Sequence, residues 1–263
     1  MKSPSGMMVN GVRGFLDNLA RLVADRRPRN MVIGRDIDWR PAWRVALVPS
    51  YKSHRVAEPI PPELAPQMPV IDDVLEAVGI PALGAAGFEA EDILSSVAAR
   101  VTGRIEVISG DRDLFALVRD PDLTVLYPEG MGRLAVINEA EIQRRYGIPP
   151  RQYAEFAVLR GDPSDGLPGL DGVGPKKAAD LLARFGNLDE IIARAPLRPG
   201  DADYLARAFK VVRPVTDIPL EIPAVTLPRE ALDPDRLTSL SRQHGIGSSV
   251  DRLLRSLGNQ PAD

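Results

Sequence analysis

The sequence predicts an α/β core followed by a largely helical second half, with its chemistry gathered on carboxylates. Three observations predict this. Short apolar runs, Met31-Val32-Ile33-Gly34 and Ile105-Glu106-Val107-Ile108, alternate with helical periodicity in the first half. That is the pattern of a mostly parallel sheet covered by helices. After Ile137 the strand signal fades and helical patterns follow one another. Acidic clusters stand just past the strands or at helix starts, where open α/β sheets gather ligands.

The elements follow in order. Val12, Phe15, Leu16, Leu19, Leu22 and Val23 recur at helical spacing, so 11–25 is an amphipathic helix ended by Pro28. A strand at 31–34 leads into the basic and aromatic stretch Trp39-Arg40-Pro41-Ala42-Trp43-Arg44 and Pro49-Ser50-Tyr51-Lys52-Ser53-His54-Arg55. Both tryptophans are expected in the core. Five prolines between 57 and 69 make that segment a loop. Helices are expected at 70–78 and 89–102, strands at 105–108, 123–126 and 134–137, and a short helix at 114–118. Beyond them the pattern predicts helices at 139–146, 150–159, 175–184, 188–193, 201–211, 235–244 and 249–257, with a strand near 219–222. With 263 residues the chain can form two modest domains, and the change is placed near residue 138, giving 1–138 and 139–263.

Composition narrows the chemistry. There is no cysteine and there are only two histidines, His54 and His244. Thiolate metal sites are thereby excluded and a histidine-rich zinc site is disfavoured, so a metal is expected on oxygen, which points to Mg²⁺ or Mn²⁺. The net charge of −3 argues weakly against nucleic acid. Locally, however, 35–55 carries five basic residues against two acidic ones. No apolar run is long enough to span a bilayer and no signal pattern opens the chain, so a cytoplasmic protein with no membrane partner is expected.

The stretch from Gly161 to Leu182, GDPSDGLPGLDGVGPKKAADLL, organises the rest. Gly172-Val173-Gly174 followed by Pro175 reads as a tight turn into a helix start. Free backbone N–H groups there attract an anion, and Lys176 and Lys177 add charge without reading a base. An ordinary helical hairpin would carry the same glycines. What decides is the set of acids: Asp36 with Asp38, then Glu89, Glu91 and Asp92, then Asp111 and Asp113, then Asp162 and Asp165. Each cluster alone could cap a helix or complement its dipole. Together, so many carboxylates in one space repel unless cations compensate. That suits a two-metal phosphoryl-transfer site.

With these residues assembled, the chain resembles the bacterial 5′-nucleases: flap endonucleases and 5′–3′ exonucleases, including the amino-terminal domain of bacterial DNA polymerase I. The matching motifs are Asp36–Arg44 (DIDWRPAWR), Pro49–Arg55 (PSYKSHR), Gly87–Ile93 (GFEAEDI), Ser109–Val118 (SGDRDLFALV) and Gly161–Ala178. The resemblance implies a PIN-like, Rossmann-like core and a helix-three-turn-helix (helix-hairpin-helix) module. It implies two or more Mg²⁺ or Mn²⁺ ions on Asp36, Glu89, Glu91, Asp92, Asp111, Asp113, Asp162 and Asp165. Lys52 and Arg55 would face the scissile phosphate as catalytic cations. Arg40, Arg44, Tyr51, Gly172, Gly174, Lys176 and Lys177 would contact DNA, with K⁺ at the glycine turn; the resemblance also leaves Tyr51, Trp39 and Trp43 as base-stacking candidates, although as core aromatics they need no such role. Residues 56–78 would form an arch beside the single-stranded 5′ end. The partner implied is DNA with 5′ flaps or 5′ ends, in replication and repair, and the protein is expected to act as a monomer.

Relatives in that family begin with a strand ending in a metal-binding Asp. Residues 1–10 are too short and polar to supply it, so the sheet is expected to lack a central strand and the site one ligand. Arg35 stands where the family places an apolar residue. The alternative to a nuclease is therefore a non-cleaving DNA-binding member. A PIN-type ribonuclease or a small-molecule phosphatase would leave the 172–177 module without a role.

Overall fold

The computed structural model describes residues 1–57, 61–130 and 132–259. In chain order the elements are α1 (Asn10–Arg26), β1 (Ile33–Gly34), α2 (Ala42–Leu47), α3 (His54–Ala57), α4 (Met68–Val78), β2 (Ala82–Leu83), α5 (Ala90–Ala98), β3 (Ile105–Ile108), β4 (Leu123–Pro128) and β5 (Leu134–Ile137). Helices follow: α6 (Glu139–Tyr146), α7 (Tyr153–Arg160), α8 (Pro175–Phe185), α9 (Leu188–Arg194), α10 (Asp201–Val212), α11 (Pro234–His244) and α12 (Gly247–Gly258). The chain divides into two compact units, each assembled from separate segments: Met1–Gly34, Glu58–Leu83 and Glu221–Asp263 in one, Arg35–Ala57 and Gly84–Leu220 in the other.

In the first unit, α1 packs along α12 and α4 against α11. Val12, Leu16, Leu19 and Val23 form the buried stripe of α1 and meet Val74, Leu75, Leu253 and Leu257 in one apolar core. This is the face that the 3.6-residue period requires. β1 and β2 form a two-stranded parallel ladder, Ile33 beside Ala82. The proline-rich loop runs through a short 3₁₀ turn at Ala65–Gln67 into α4. Of the segment expected to form an arch, residues 58–60 lie outside the described residues.

The second unit is built on β3–β4–β5, with β3 and β4 parallel and β5 antiparallel to β4. Its core takes in Val107, Leu123, Val125 and Ile137 from the strands and Phe156, Leu182, Leu205 and Val211 from the helices. Strands are thus mostly parallel, and they divide between two sheets. Phe115 meets Tyr127 and Tyr153 edge to face at 5.5 and 5.2 Å, a favoured aromatic geometry. That anchor fixes the 3₁₀ turn at Asp113–Leu117 directly after β3.

Three expectations are corrected. α5 ends at Ala98 rather than 102, because β-branched Val101 and Thr102 and left-handed Gly103 end the helical pattern. No strand forms at 219–222. Prolines 219 and 223 remove ladder donors, and the Ile218 and Leu220 carbonyls are taken by the Arg100 guanidinium. Trp39 is 40% exposed rather than in the core. Trp43 is half-buried, its indole N–H donating to the Gly87 carbonyl at 3.0 Å. Arg35 is half-buried and partnered.

Candidate active site

Four chain segments of the second unit converge on one cleft. α5 begins with a reciprocal cap: the Glu89 carboxylate accepts from the Asp92 backbone and Asp92 accepts from the Glu89 N–H. That cap turns Glu89 and Asp92 inward, where both are buried. The β3 strand ends at Ile108, and Asp111 and Asp113 follow, Asp113 N–H donating to the Asp111 carboxylate at 2.9 Å. Buried Leu114 and Phe115 hold this turn in place. Asp162 caps the short turn Pro163–Asp165 through Ser164 N–H at 3.0 Å. Asp111, Asp113, Asp162 and Asp165, with Arg55 and Arg112, line a cleft of about 220 Å³.

Lys52 ties the segments together. Its ammonium donates to Glu89 and stands 4.0 Å from Asp165. Its backbone N–H donates to the Asp165 carbonyl at 2.9 Å. It adopts φ +46°, uncommon for a residue with a Cβ, and such strain persists only where the surroundings impose it. Here they do: a Cβ on Gly166, itself at φ +71°, would lie 2.1 Å from the Ser50 carbonyl. The two backbones are pressed together, which only glycine permits.

Arg44 is the second organiser. It is wholly buried and donates to Glu89, to Asp92 at 2.8 Å and to the Val211 carbonyl at 3.0 Å. Glu91 lies 3.4 Å away. Burial works to lower its pKa, but Glu91 and Asp92 raise it overall, so it is permanently charged. Arg44 therefore cannot reach DNA, contrary to expectation. Tyr51 is corrected likewise: it is buried and donates its hydroxyl to Glu89 at 2.6 Å. Arg40 spends its guanidinium on the Tyr51 and Pro49 carbonyls at 2.7 and 3.2 Å.

The acids fall into two groups. Glu89 and Asp92 are met by Arg44, Lys52 and Tyr51, and Asp92 also accepts from Val215 N–H at 2.9 Å. They face cations of the protein rather than open space. Asp162 receives Arg112 and Arg160 at 3.0 and 2.9 Å. Sequence reasoning missed both arginines, although Arg112 stands between the two aspartates it accompanies. By contrast, neither Asp111 nor Asp113 has an ion pair among the described residues. Burial first, then the charge of Asp111, pushes Glu91 well above the carboxylate range. Burial, then Asp111, Asp165 and Asp162, push Asp113 up in the same direction. Asp165 is raised to about 6, by burial and by Asp111 and Asp162 against the lowering effect of Lys52. Asp36 is exposed at the margin, accepting from Ala90 N–H at 2.8 Å.

Surplus negative charge on oxygen donors, shielded from water, fits hard divalent cations in chemical type. Among the described residues, no three acids stand close enough to enclose an ion as they lie. The glycine turn is separate and open. Gly172, Gly174, Lys176 and Lys177 are exposed, and Lys177 reaches the Gly172 carbonyl at 3.5 Å. Gly174 caps α8 with Pro175 at its first position, as expected.

Family models match over the chain: the "5′-3′ exonuclease, N-terminal resolvase-like domain" over residues 1–147 and the "5′-3′ exonuclease, C-terminal SAM fold" over 148–235. A 5′-3′ exonuclease of Streptomyces coelicolor is 46% identical, covering 98% of this chain and 93% of its own. One from Mycobacterium tuberculosis is 43% identical, covering 98% and 92%. DNA polymerase I of M. tuberculosis is 37% identical over 92% of this chain and 27% of its own. In fold, the chain is similar to bacteriophage T5 flap endonuclease in complex with DNA and metal ions, with a TM-score of 0.61 at 15% identity over 94% and 90% of the two chains. Among the described residues no helix is long and apolar enough to cross a membrane. The order of the acid segments, the cleft they build and 46% and 43% identity to two bacterial exonucleases over nearly the full length all agree: the chain belongs to the 5′-3′ exonuclease family.

Proposed function

We propose that the protein is a structure-specific nuclease that hydrolyses DNA phosphodiesters at 5′ ends and 5′ flaps during replication and repair in the cytoplasm. The observation that carries this is a set of carboxylates, Asp111 and Asp113 without an ion pair among the described residues and Glu91 and Asp165 crowded by them, gathered with two cations, Lys52 and Arg55. The carboxylates Glu91, Asp111, Asp113 and Asp165 would hold two or more Mg²⁺ or Mn²⁺ ions, with Asp36 and Asp162 at the margins. Such ions lower the pKa of water and stabilise charge on a phosphoryl group in transfer.

The protein's own groups do the rest. Lys52 is buried, which works to lower its pKa, but Glu91 and Glu89 raise it overall. It therefore stays an ammonium through neutral pH and serves as a fixed positive charge for the scissile phosphate rather than as a base. Arg55 lines the same cleft, 3.0 Å from the Ser164 carbonyl and 3.4 Å from Asp165, and offers further donors to phosphate oxygens. Glu89 and Asp92 position Lys52 and Arg44. Residues 1–138 then supply most of the acids, while 139–263 supply Asp162, Asp165 and the duplex grip. The Gly172–Lys177 turn would bind duplex backbone through its exposed N–H groups and lysines, with K⁺ at its carbonyls, and one protein copy would suffice. The test is cleavage of a 5′-flap duplex with Mn²⁺. Cleavage abolished by Asp111→Asn supports the reading; no cleavage, or cleavage indifferent to Asp111→Asn, contradicts it.

A further inference from the structure

The loop entering α2 holds a tryptophan in water on a rigid mount. Its backbone is pinned from two sides. Asp36 accepts from Ala90 N–H at 2.8 Å and Asp38 N–H donates to the Phe88 carbonyl at 3.4 Å. Arg40 Nε donates to the Tyr51 carbonyl at 2.7 Å. These bonds fix the loop against the start of α5 and against the residue preceding Lys52. Two apolar side chains are nevertheless exposed, Ile37 and Trp39.

Ile37 has a packing duty: a Cβ on Gly84 would come within 2.5 Å of it. Trp43, the only other tryptophan, is also engaged. It bonds Gly87 and carries the Arg44 guanidinium 4.8 Å from its ring. No ring or cation stacks on Trp39 among the described residues. An indole left in water, on a loop bonded to the residue before Lys52 and to the start of α5, calls for a partner with an aromatic face. A DNA strand whose phosphate lies against Lys52 and Arg55 brings such faces with it, since every base can stack.

We propose that Trp39 stacks on an unpaired or terminal nucleobase of the DNA strand engaged at the acid cleft, and so selects frayed 5′ ends and flaps over paired ones. The inference rests on the nuclease reading above. Its logic is mechanical: a base inside a duplex has both faces covered by its neighbours, whereas a frayed or flap base offers a free face to a fixed indole, and stacking repays part of the cost of unpairing it.

The test uses the full chain. With Trp43→Phe, Trp39 is the single tryptophan, and its emission is followed while a 5′-flap duplex is added in EDTA, with binding read separately by anisotropy of labelled DNA. Emission should be quenched in step with binding. Trp39→Ala should weaken flap binding about 5- to 150-fold, the usual worth of one base stack, with Trp39→Phe retaining most of it. An abasic nucleotide at one position should weaken wild-type binding by a similar factor and leave Trp39→Ala unaffected, as two halves of one contact must. If wild type binds and cleaves the flap but Trp39 emission does not change, or abasic penalties at every position add fully to that of Trp39→Ala, the stacking is overturned and the nuclease reading stands. A wild-type protein that neither binds nor cleaves the flap overturns both.

Discussion

The two walls of the acid cleft are made of the same residue types and are treated in opposite ways. At the start of α5, Glu89 and Asp92 meet the buried cations Arg44 and Lys52 and the Tyr51 hydroxyl. At the end of β3, Asp111 and Asp113 have no ion pair among the described residues, and the charge of Asp111 adds to burial in raising the pKa of Glu91, Asp113 and Asp165. Burying an unpaired carboxylate costs several kcal/mol. The protein meets that cost on one wall with its own cations and leaves it unmet on the other. The first wall is architecture; the second suits, in charge and donor type, an exogenous cation.

The sharpest way to break this comparison is to remove the internal cation. Arg44→Met should destabilise the fold by about 3–5 kcal/mol, since Glu89 and Asp92 would then be buried without it; urea unfolding measures this. A loss under 1 kcal/mol would mean the first wall is not held by charge. Next in size is Asp111→Asn, which should lower kcat on a flap substrate by about 10²–10³. The same logic predicts that the isosteric Asp113→Asn raises the Tm of the metal-free protein, because it removes one of the mutually repelling acids while reducing activity. Glu89→Gln should lower kcat about 10- to 100-fold, as outer-shell partners do, by loosening Lys52.

The smallest effect is a dependence on pH. Asp165 is raised to about 6, chiefly by burial, above the roughly 3.9 of an unfolded aspartate. A raised folded pKa gives stability that is full below the unfolded value and lost as pH rises through the folded one. The Tm advantage of Asp165→Asn over wild type, without metal, should therefore grow between pH 4 and 7. Added Mg²⁺ should close that gap more at pH 7.5 than at pH 5. A difference independent of pH would remove Asp165 from the crowded wall.

Much of this was legible in the residues. Helices with a clean apolar stripe, such as α1, and those bracketed by Asn, Pro and Gly, such as α6 and α8, are marked locally. The acids could be found because their type, number and positions after strands are sequence properties. What they face is not. Arg44 and Tyr51 sit in a basic, aromatic stretch that reads as a DNA contact, and only the packing of α2 against α10 turns them inward. Trp39 and Trp43, four residues apart, look alike in the chain; the pins at Asp38 and Arg40 leave one in water. The 219–222 segment looked extended, but its carbonyls were claimed by Arg100, 118 and 120 residues away.

Divalent-ion binding measured on three proteins tests the division of the walls most directly. Mn²⁺ is titrated into wild type, Asp113→Asn and Glu89→Gln at neutral pH, and free ion is counted by electron paramagnetic resonance. The account predicts that Asp113→Asn weakens or loses binding while Glu89→Gln binds as wild type does. Equal loss in both, or loss only in Glu89→Gln, would contradict it.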